Sequence, residues 1–481
     1  MISQFSPRRV VAPLALALLL GACAVPPQMA GTPALRAADS VAATSLNGPE
    51  GAAWPDEAWW RDYGDAQLTG LIEEAIKGSP GLAEATARLR IAEGYARSAG
   101  AALLPTASVG GAAGAIKESY NQGIPPAFVP HGWNSNGSAQ ANLGFDLDLF
   151  GRNHATLAAA TSERTAAAIE ARAARLALAT SVAAAYADLG REAALRDVAA
   201  AAVKVREETA ALVAKRVANG LDTRAEQDQA EADVPVARAN LAAADQALAL
   251  TRNRLAALLG AGPDRGAAIT PPASARFSMT PLPPRLALDL VGRRADIAAA
   301  RARAEAAALR VRAARAAYFP DINLMAFVGA QSLGLANLTA SGSRAGEAQA
   351  AINLPLFSGG ALAGNYRAAR GTYDQAVAQY DDTLVQAVRE VADAAAGQTA
   401  LAIELAAAQQ AVDRSEAAWN LAKRRYAGGL SQYLAVLSAE DALLRNRQLL
   451  ADCQGRVLAV RVDLIRALGG GFTLSPNSPR I

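Results

Sequence analysis

The sequence predicts a mixed α and β membrane protein, with four strands per chain in a transmembrane β-barrel shared between copies, continued by a long α-helical coiled coil. Three observations predict it. Four segments alternate apolar and polar residues with a period of two, two proline-free segments of about 65 residues carry helical spacing, and a set of landmarks recurs once along the chain.

The chain opens with Arg8 and Arg9, an apolar run from Val10 to Leu20, and then Leu20-Gly21-Ala22-Cys23. A positive start, a short apolar run and small residues before a cut site describe a secretory signal. The run is shorter than the ~20 apolar residues that a bilayer crossing needs. A cysteine directly after two small residues is the bacterial lipobox pattern, so residues 1–22 read as a signal peptide and Cys23 as a lipidation site. An ordinary signal peptide that contains a cysteine is the alternative. Ala24 is not an aspartate, and nothing marks the protein for retention in the inner membrane. Residues 23–53, with Pro26, Pro27, Pro33 and Pro49 among Gly, Ala, Thr and Ser, read as a lipid-anchored tether that cannot bury a core. Residues 54–104 read as an N-terminal periplasmic helical segment.

Composition removes several function classes. Lys+Arg 47 against Asp+Glu 44 leaves +3, so no net field points to nucleic acid. Beyond Cys23 only Cys453 remains, which excludes a disulfide framework and reads as a small apolar filler. His131 and His154 stand far apart, without the further ligands of a zinc site. There is no Gly-rich phosphate loop, Ser elbow or CxxC, so neither an enzyme nor a cofactor or metal is expected.

The landmarks recur at an offset of roughly 210 residues. Ala102-Leu103-Leu104-Pro105 answers Ala317-Tyr318-Phe319-Pro320, and Asp148-Leu149-Phe150-Gly151 answers Pro355-Leu356-Phe357-Ser358. Arg216-Val217-Ala218-Asn219-Gly220-Leu221 answers Arg425-Tyr426-Ala427-Gly428-Gly429-Leu430, and Leu258-Leu259-Gly260 answers Ala467-Leu468-Gly469. A repeat of this length implies two duplicated structural halves.

Between the proline and Leu-Phe landmarks of each half lie the strands, in residues 105–151 and 320–358. Ala139, Ala141, Leu143, Phe145, Leu147 and Leu149 alternate with polar residues, as do Ala348, Ala350, Ile352, Leu354 and Leu356. Ile322, Leu324, Ala326 and Val328 alternate less cleanly, and 106–116 only weakly. Such alternation suits a strand with one lipid-facing and one water-facing side; a half-buried strand of a soluble sheet is the alternative. Four strands cannot close a barrel, which starts at about eight. Open edges are not tolerated in lipid, so copies must pool strands. Two copies would give eight and three would give twelve.

After each Leu-Phe landmark the period changes, giving helical hairpins in 152–260 and 359–469. Residues 154–218 hold no proline and one interior glycine, Gly190; in 361–427, Tyr373, Val377, Tyr380, Leu384, Val388 and Val391 fall three and four apart. About 65 residues at 1.5 Å each make roughly 95 Å of helix. Each hairpin turns at Asn219-Gly220 or Gly428-Gly429, and Pro235 is placed to kink the first return helix. Residues 261–319 read as a linker with a periplasmic helix and 470–481 as a C-terminal tail.

Taken together, these residues resemble the TolC-type outer-membrane efflux proteins in their lipoprotein branch, over nearly the whole mature chain. Trp54, Trp59-Trp60 and Asp65 through Leu71 are similar to the family's opening. Leu286 to Ile297, with Arg293-Arg294-Ala295-Asp296-Ile297, is similar to its central motif, which usually has proline where Ala295 stands. Gly429 through Leu437 resembles the second tip, and Ala467 through Phe472 the closing motif. The resemblance implies a homotrimer with a twelve-stranded barrel above a periplasmic helical cylinder. It also implies a periplasmic adaptor (membrane fusion) protein and an inner-membrane pump of the resistance-nodulation-division type. The protein would then be an exit duct in the outer membrane, conducting small molecules such as drugs. By position, Gly220, Leu221, Gly429 and Leu430 would be the adaptor-contacting tips, where plain helix reversal is the other reading. Asp222, Arg224, Glu226, Arg425 and Tyr426 are the candidate gate contacts, where solvated surface charge is the other reading. Ser431 and Ser438 stand where relatives often carry acids. A type I protein-secretion duct shares the architecture, and a structural periplasmic coiled-coil lipoprotein would leave the alternating strands unexplained.

Overall fold

The computed structural model describes residues 27, 31–37, 40–41, 44–46, 48–49, 52–121, 123, 125–272, 280–284 and 286–473. Cys23 and the expected signal peptide lie outside them. The helices are α1 (Ala66–Gly78), α2 (Pro80–Ala101), α3 (Arg152–Ala218), α4 (Arg224–Leu258), α5 (Pro263–Ala267), α6 (Leu286–Arg293), α7 (Ala295–Ala316), α8 (Ala361–Ala427) and α9 (Tyr433–Ala467). The strands are β1 (Thr106–Ile116), β2 (Asn134–Asp146), β3 (Asp321–Leu333) and β4 (Arg344–Asn353). Among the described residues no helix is long and apolar enough to cross a membrane. The chain divides into two compact units, one of residues 1–35, 89–167 and 300–380, the other of 36–88, 168–299 and 381–481.

The first unit holds the strands, which form one antiparallel sheet in the order β1-β2-β3-β4. Val109 pairs with Ala141, Ala141 with Val328, and Val328 with Gly346. Directly opposed residues share a face. The register therefore gathers Val109, Ala141, Leu143, Phe145, Leu324 and Val328 on one face, with Val109 87% and Val328 68% exposed. The other face carries Ser108, Gln140, Asn142, Glu347 and Gln349, interrupted by Met325 and Phe327. Among the described residues, β1 and β4 each have one unpaired edge.

The strands stop short of the alternation read in the sequence, at Asp146 and Asn353 rather than Leu149 and Leu356. Asp148 adopts φ 44°, and its carboxylate accepts the N–H groups of Asn153 (2.9 Å) and His154 (2.8 Å) at the start of α3. The end of β2 is thus diverted into capping a helix. Pro355, lacking an N–H, cannot continue the β4 ladder.

Part of the expected tether is engaged. Arg370 Nη1 donates to Thr32 Oγ1 (3.0 Å) and the Tyr373 hydroxyl to the Pro33 carbonyl (2.9 Å). Leu35 packs against Ala304, Ala307 and Ala376. Composition denies the segment a core of its own, yet one leucine completes a notch between α7 and α8.

In the second unit, Trp59, Trp60, Leu68 and Ile72 form a core with Val182, Tyr186 and Leu189 of α3 and Leu255 of α4. Gly190, the interior glycine of α3, is required by close approach, since a Cβ there would lie 2.7 Å from Pro272 Cγ. Helix α4 runs through Pro235 without interruption. Val377, Tyr380, Leu384, Val388 and Val391 of α8 are all buried, as their spacing requires. Cys453 is buried with Leu401, Ala408 and Val457 and acts as the apolar filler its context suggested. In the central motif, buried Arg294 pairs with Asp296 (2.6 Å) and Glu390 (2.8 Å) and donates to the Ala467 carbonyl (2.8 Å). Ala295 is the first residue of α7, the position where proline is best tolerated in a helix. That explains how alanine and proline exchange there.

Candidate functional site

Both hairpin turns lie in the second unit and end their long helices with the same backbone device. Gly220 N–H donates to Val217 O (2.9 Å) and Leu221 N–H to Arg216 O (2.9 Å); Gly429 N–H donates to Tyr426 O (3.0 Å) and Leu430 N–H to Arg425 O (2.8 Å). This is a Schellman closure, which needs a left-handed residue after the helix. Gly220 at φ 69° and Gly429 at φ 72° supply it without the Cβ penalty.

The side chains of the two turns differ. Arg216 is turned inward, with Nε 2.8 Å and Nη2 3.2 Å from the two Asp222 oxygens. The two side chains are only 12% and 7% exposed. The guanidinium also lies 4.4 Å over the Tyr426 ring and donates to the Tyr426 carbonyl (2.8 Å). The Tyr426 hydroxyl donates to Asp222, closing a clasp between the first turn and α8. Desolvation alone would raise the Asp222 pKa, but the bonds from Arg216 and Tyr426 hold the carboxyl below the usual carboxylate range. The Tyr426 hydroxyl is pushed up, by burial first and then by the neighbouring carboxylate. Beneath the clasp, Val213, Ala230, Tyr433 and Val436 form an apolar cluster with Tyr426.

Of the residues singled out in the sequence, the structure brings Asp222 and Tyr426 together. Glu226 accepts the Thr223 N–H (2.8 Å) while Thr223 Oγ1 accepts the Glu226 N–H (3.4 Å), a capping box that starts α4. Arg224 and Arg425 are exposed and outside the clasp. Leu221 and Leu430 are 63% and 73% exposed.

Sequence reasoning missed Arg216, and it missed a second node further along the hairpins. Arg206 Nε lies 3.0 Å from Glu440 and Nη1 3.3 Å from Asp233, and Nη2 pairs with Asp441. Thr209 Oγ1 donates to Glu440 Oε2 (2.9 Å), and the Glu440 side chain is fully buried. Burial raises the Glu440 pKa against the lowering effect of Arg206. The signal was present: Tyr433, Val436 and Leu443 are the apolar stripe of α9, and Glu440 interrupts it at helical spacing.

Comparison with known proteins follows the same two-part plan. The family model described as outer membrane efflux protein matches residues 71–261 and 286–470, and each match encloses two strands and one long hairpin. The chain is 32% identical over 473 residues to outer membrane protein OprJ of Pseudomonas aeruginosa, covering 96% of each chain. It is 29% identical to multidrug resistance outer membrane protein MdtQ of Escherichia coli O157:H7, covering 87% of this chain and 89% of that one. Among solved structures, the outer membrane protein VceC of Vibrio cholerae superposes with a TM-score of 0.82 at 45% identity, over 87% of this chain and all of that one.

Proposed function

The chain belongs to the outer membrane efflux protein family, and from that premise we propose that it is the exit duct of a tripartite pump for small molecules such as drugs. In this reading three copies pool their strands into one twelve-stranded barrel. Cys23 carries the lipid anchor. The turns at Gly220-Leu221 and Gly429-Leu430 meet a periplasmic adaptor, which links the duct to an inner-membrane pump of the resistance-nodulation-division type. The clasp of Arg216, Asp222 and Tyr426 is the resting contact of the gate.

The observation that carries the reading is the sheet. Among the described residues it has one apolar face, one largely polar face, and unpaired edges at β1 and β4. Lipid does not tolerate open edges, and barrels start at about eight strands. Strands from further copies therefore have to complete it. The multidrug resistance named for the MdtQ relative supports the cargo class.

Native mass spectrometry of the detergent-extracted protein should give a homotrimer, and a stable monomer would reject the shared barrel. Expression in a host deleted for its own exit duct should restore drug tolerance when adaptor and pump are present. Persistent sensitivity, with the trimer in the outer membrane, would reject the efflux role. Fatty-acid labelling should mark the wild type and miss Cys23→Ser.

A further inference from the structure

We infer that the end of the two hairpins is a cationic docking surface for a protein loop that presents carboxylates beside an apolar residue. This rests on the adaptor reading above and adds the chemistry of the partner.

Four cations surround the turns: Lys215 and Arg224 at the first, Arg424 and Arg425 at the second, all exposed. Among the described residues none of these four side chains has an acidic partner, whereas the acids of the turns are consumed internally. Asp222 is held in the clasp, and Glu226 closes the cap of α4. Asp228 stands one helical turn after Arg224 on the same face of α4, and among the described residues no ion pair joins the two. A chain whose charges nearly balance overall is thus left positive at this end.

Three of the cations have an ordinary explanation. Lys215, Arg424 and Arg425 lie in the last turns of α3 and α8, where the helix dipole favours positive charge. Arg224 does not. It is the first residue of α4, where that dipole opposes a cation, and it gains no bond in return. No contact made among the described residues therefore accounts for it, while an anionic partner would. Leu221, Leu430 and Leu434 are uncovered beside these charges, at 63%, 73% and 63% exposure. An apolar contact ringed by cations suits a loop with a hydrophobic residue between carboxylates.

The test uses full-length protein in lipid nanodiscs and three synthetic helical hairpins that differ only in the loop: Glu-Leu-Glu, Gln-Leu-Gln or Lys-Leu-Lys. In dilute salt the acidic loop should bind about tenfold tighter than the neutral one. The advantage should shrink as salt screens it. It should vanish in Arg224→Gln/Arg425→Gln and survive in Arg224→Lys/Arg425→Lys, with the oligomer mass unchanged in both. Equal binding of the three loops, binding of none, or a preference that survives the glutamine variant would overturn the inference. So would a change of oligomer mass in that variant, which would assign the cations to a neighbouring copy. Drug tolerance, measured separately, keeps the two readings distinct: a loop preference without efflux counts against the duct, and efflux without a loop preference counts against the docking chemistry.

Discussion

The two turns share a backbone and differ in what their arginines do. Arg216 and Arg425 hold the same place in the repeat, two residues before the last residue of their helices. One is clasped and the other faces solvent. The difference lies six positions on, where Asp222 in the first turn is answered by Ser431 in the second. Position 217 adds to it, since Val217 is answered by Tyr426, whose hydroxyl completes the clasp. Duplication preserved the geometry of the reversal, while single side chains clasped the arginine of the first turn to Tyr426 of the second and left Arg425 open.

Both turns extend from the node at Arg206, so the largest expected effect is one that erases the comparison. Glu440→Ala removes a fully buried carboxylate bonded to Arg206 and Thr209. It should cost about 3 kcal/mol and speed amide exchange in both turns alike. Exchange rising in one turn only would show that the node does not serve both.

Asp222→Ala should act mainly on the first turn and more weakly on the second, where the Tyr426 hydroxyl loses its acceptor. It strands Arg216 at a nearly buried site, at a cost of about 2–3 kcal/mol, whereas Ser431→Ala should stay within about 0.5 kcal/mol. Exchange at residues 212–222 reads the first and at 421–431 the second. The pH dependence has a definite sign. Asp222 is held below its ordinary value, so its contribution is present above the usual carboxylate range and is lost as pH falls through the lower folded value. Protection of the first turn should therefore fall below about pH 4 by more than that of the second, which feels the change only through Tyr426. Equal acid sensitivity of the two turns would contradict the clasp.

The glycines should show no asymmetry. Gly220→Ala and Gly429→Ala each place a Cβ on a left-handed residue with open space around it. Each should lose about 1–2 kcal/mol of turn stability, equally within error. The smallest effect sharpens the comparison from the other side: Ser431→Asp offers Arg425 the partner it lacks. Exchange should slow in the second turn by at most about 1 kcal/mol, and the acidic-loop hairpin should bind less tightly.

Much of this was legible in the sequence. The alternation of β2 and β4, the spacing of α8 and the position of both turns follow from local periods and from glycine. The ends of β2 and β4 were not, because the residues that stop them, Asp148 and Pro355, lie inside an apolar rhythm that continues past them. The clasp was legible by half. Asp222 and Tyr426 announce themselves as polar residues near a turn, but Arg216 is indistinguishable from its exposed twin without knowing what faces each. Leu35 escaped for a related reason. A tether's composition says nothing of a notch built by Ala304, Ala307 and Ala376, hundreds of residues away.

The strand order has a genetic consequence. Within one chain β2 already pairs with β3, so any closed ring of these sheets has seams of a single kind, β4 of one copy against β1 of the next. In such a ring a subunit whose β1 edge is spoiled would still offer a sound β4 to a healthy neighbour, but the ring it joined could not be completed. Defects along β1 or β4 should therefore be dominant when mutant and normal genes are expressed together, whereas loss of the whole chain should be recessive. Proline at Val109, near the middle of an edge strand that contains no ionisable residue, would separate the two patterns of inheritance.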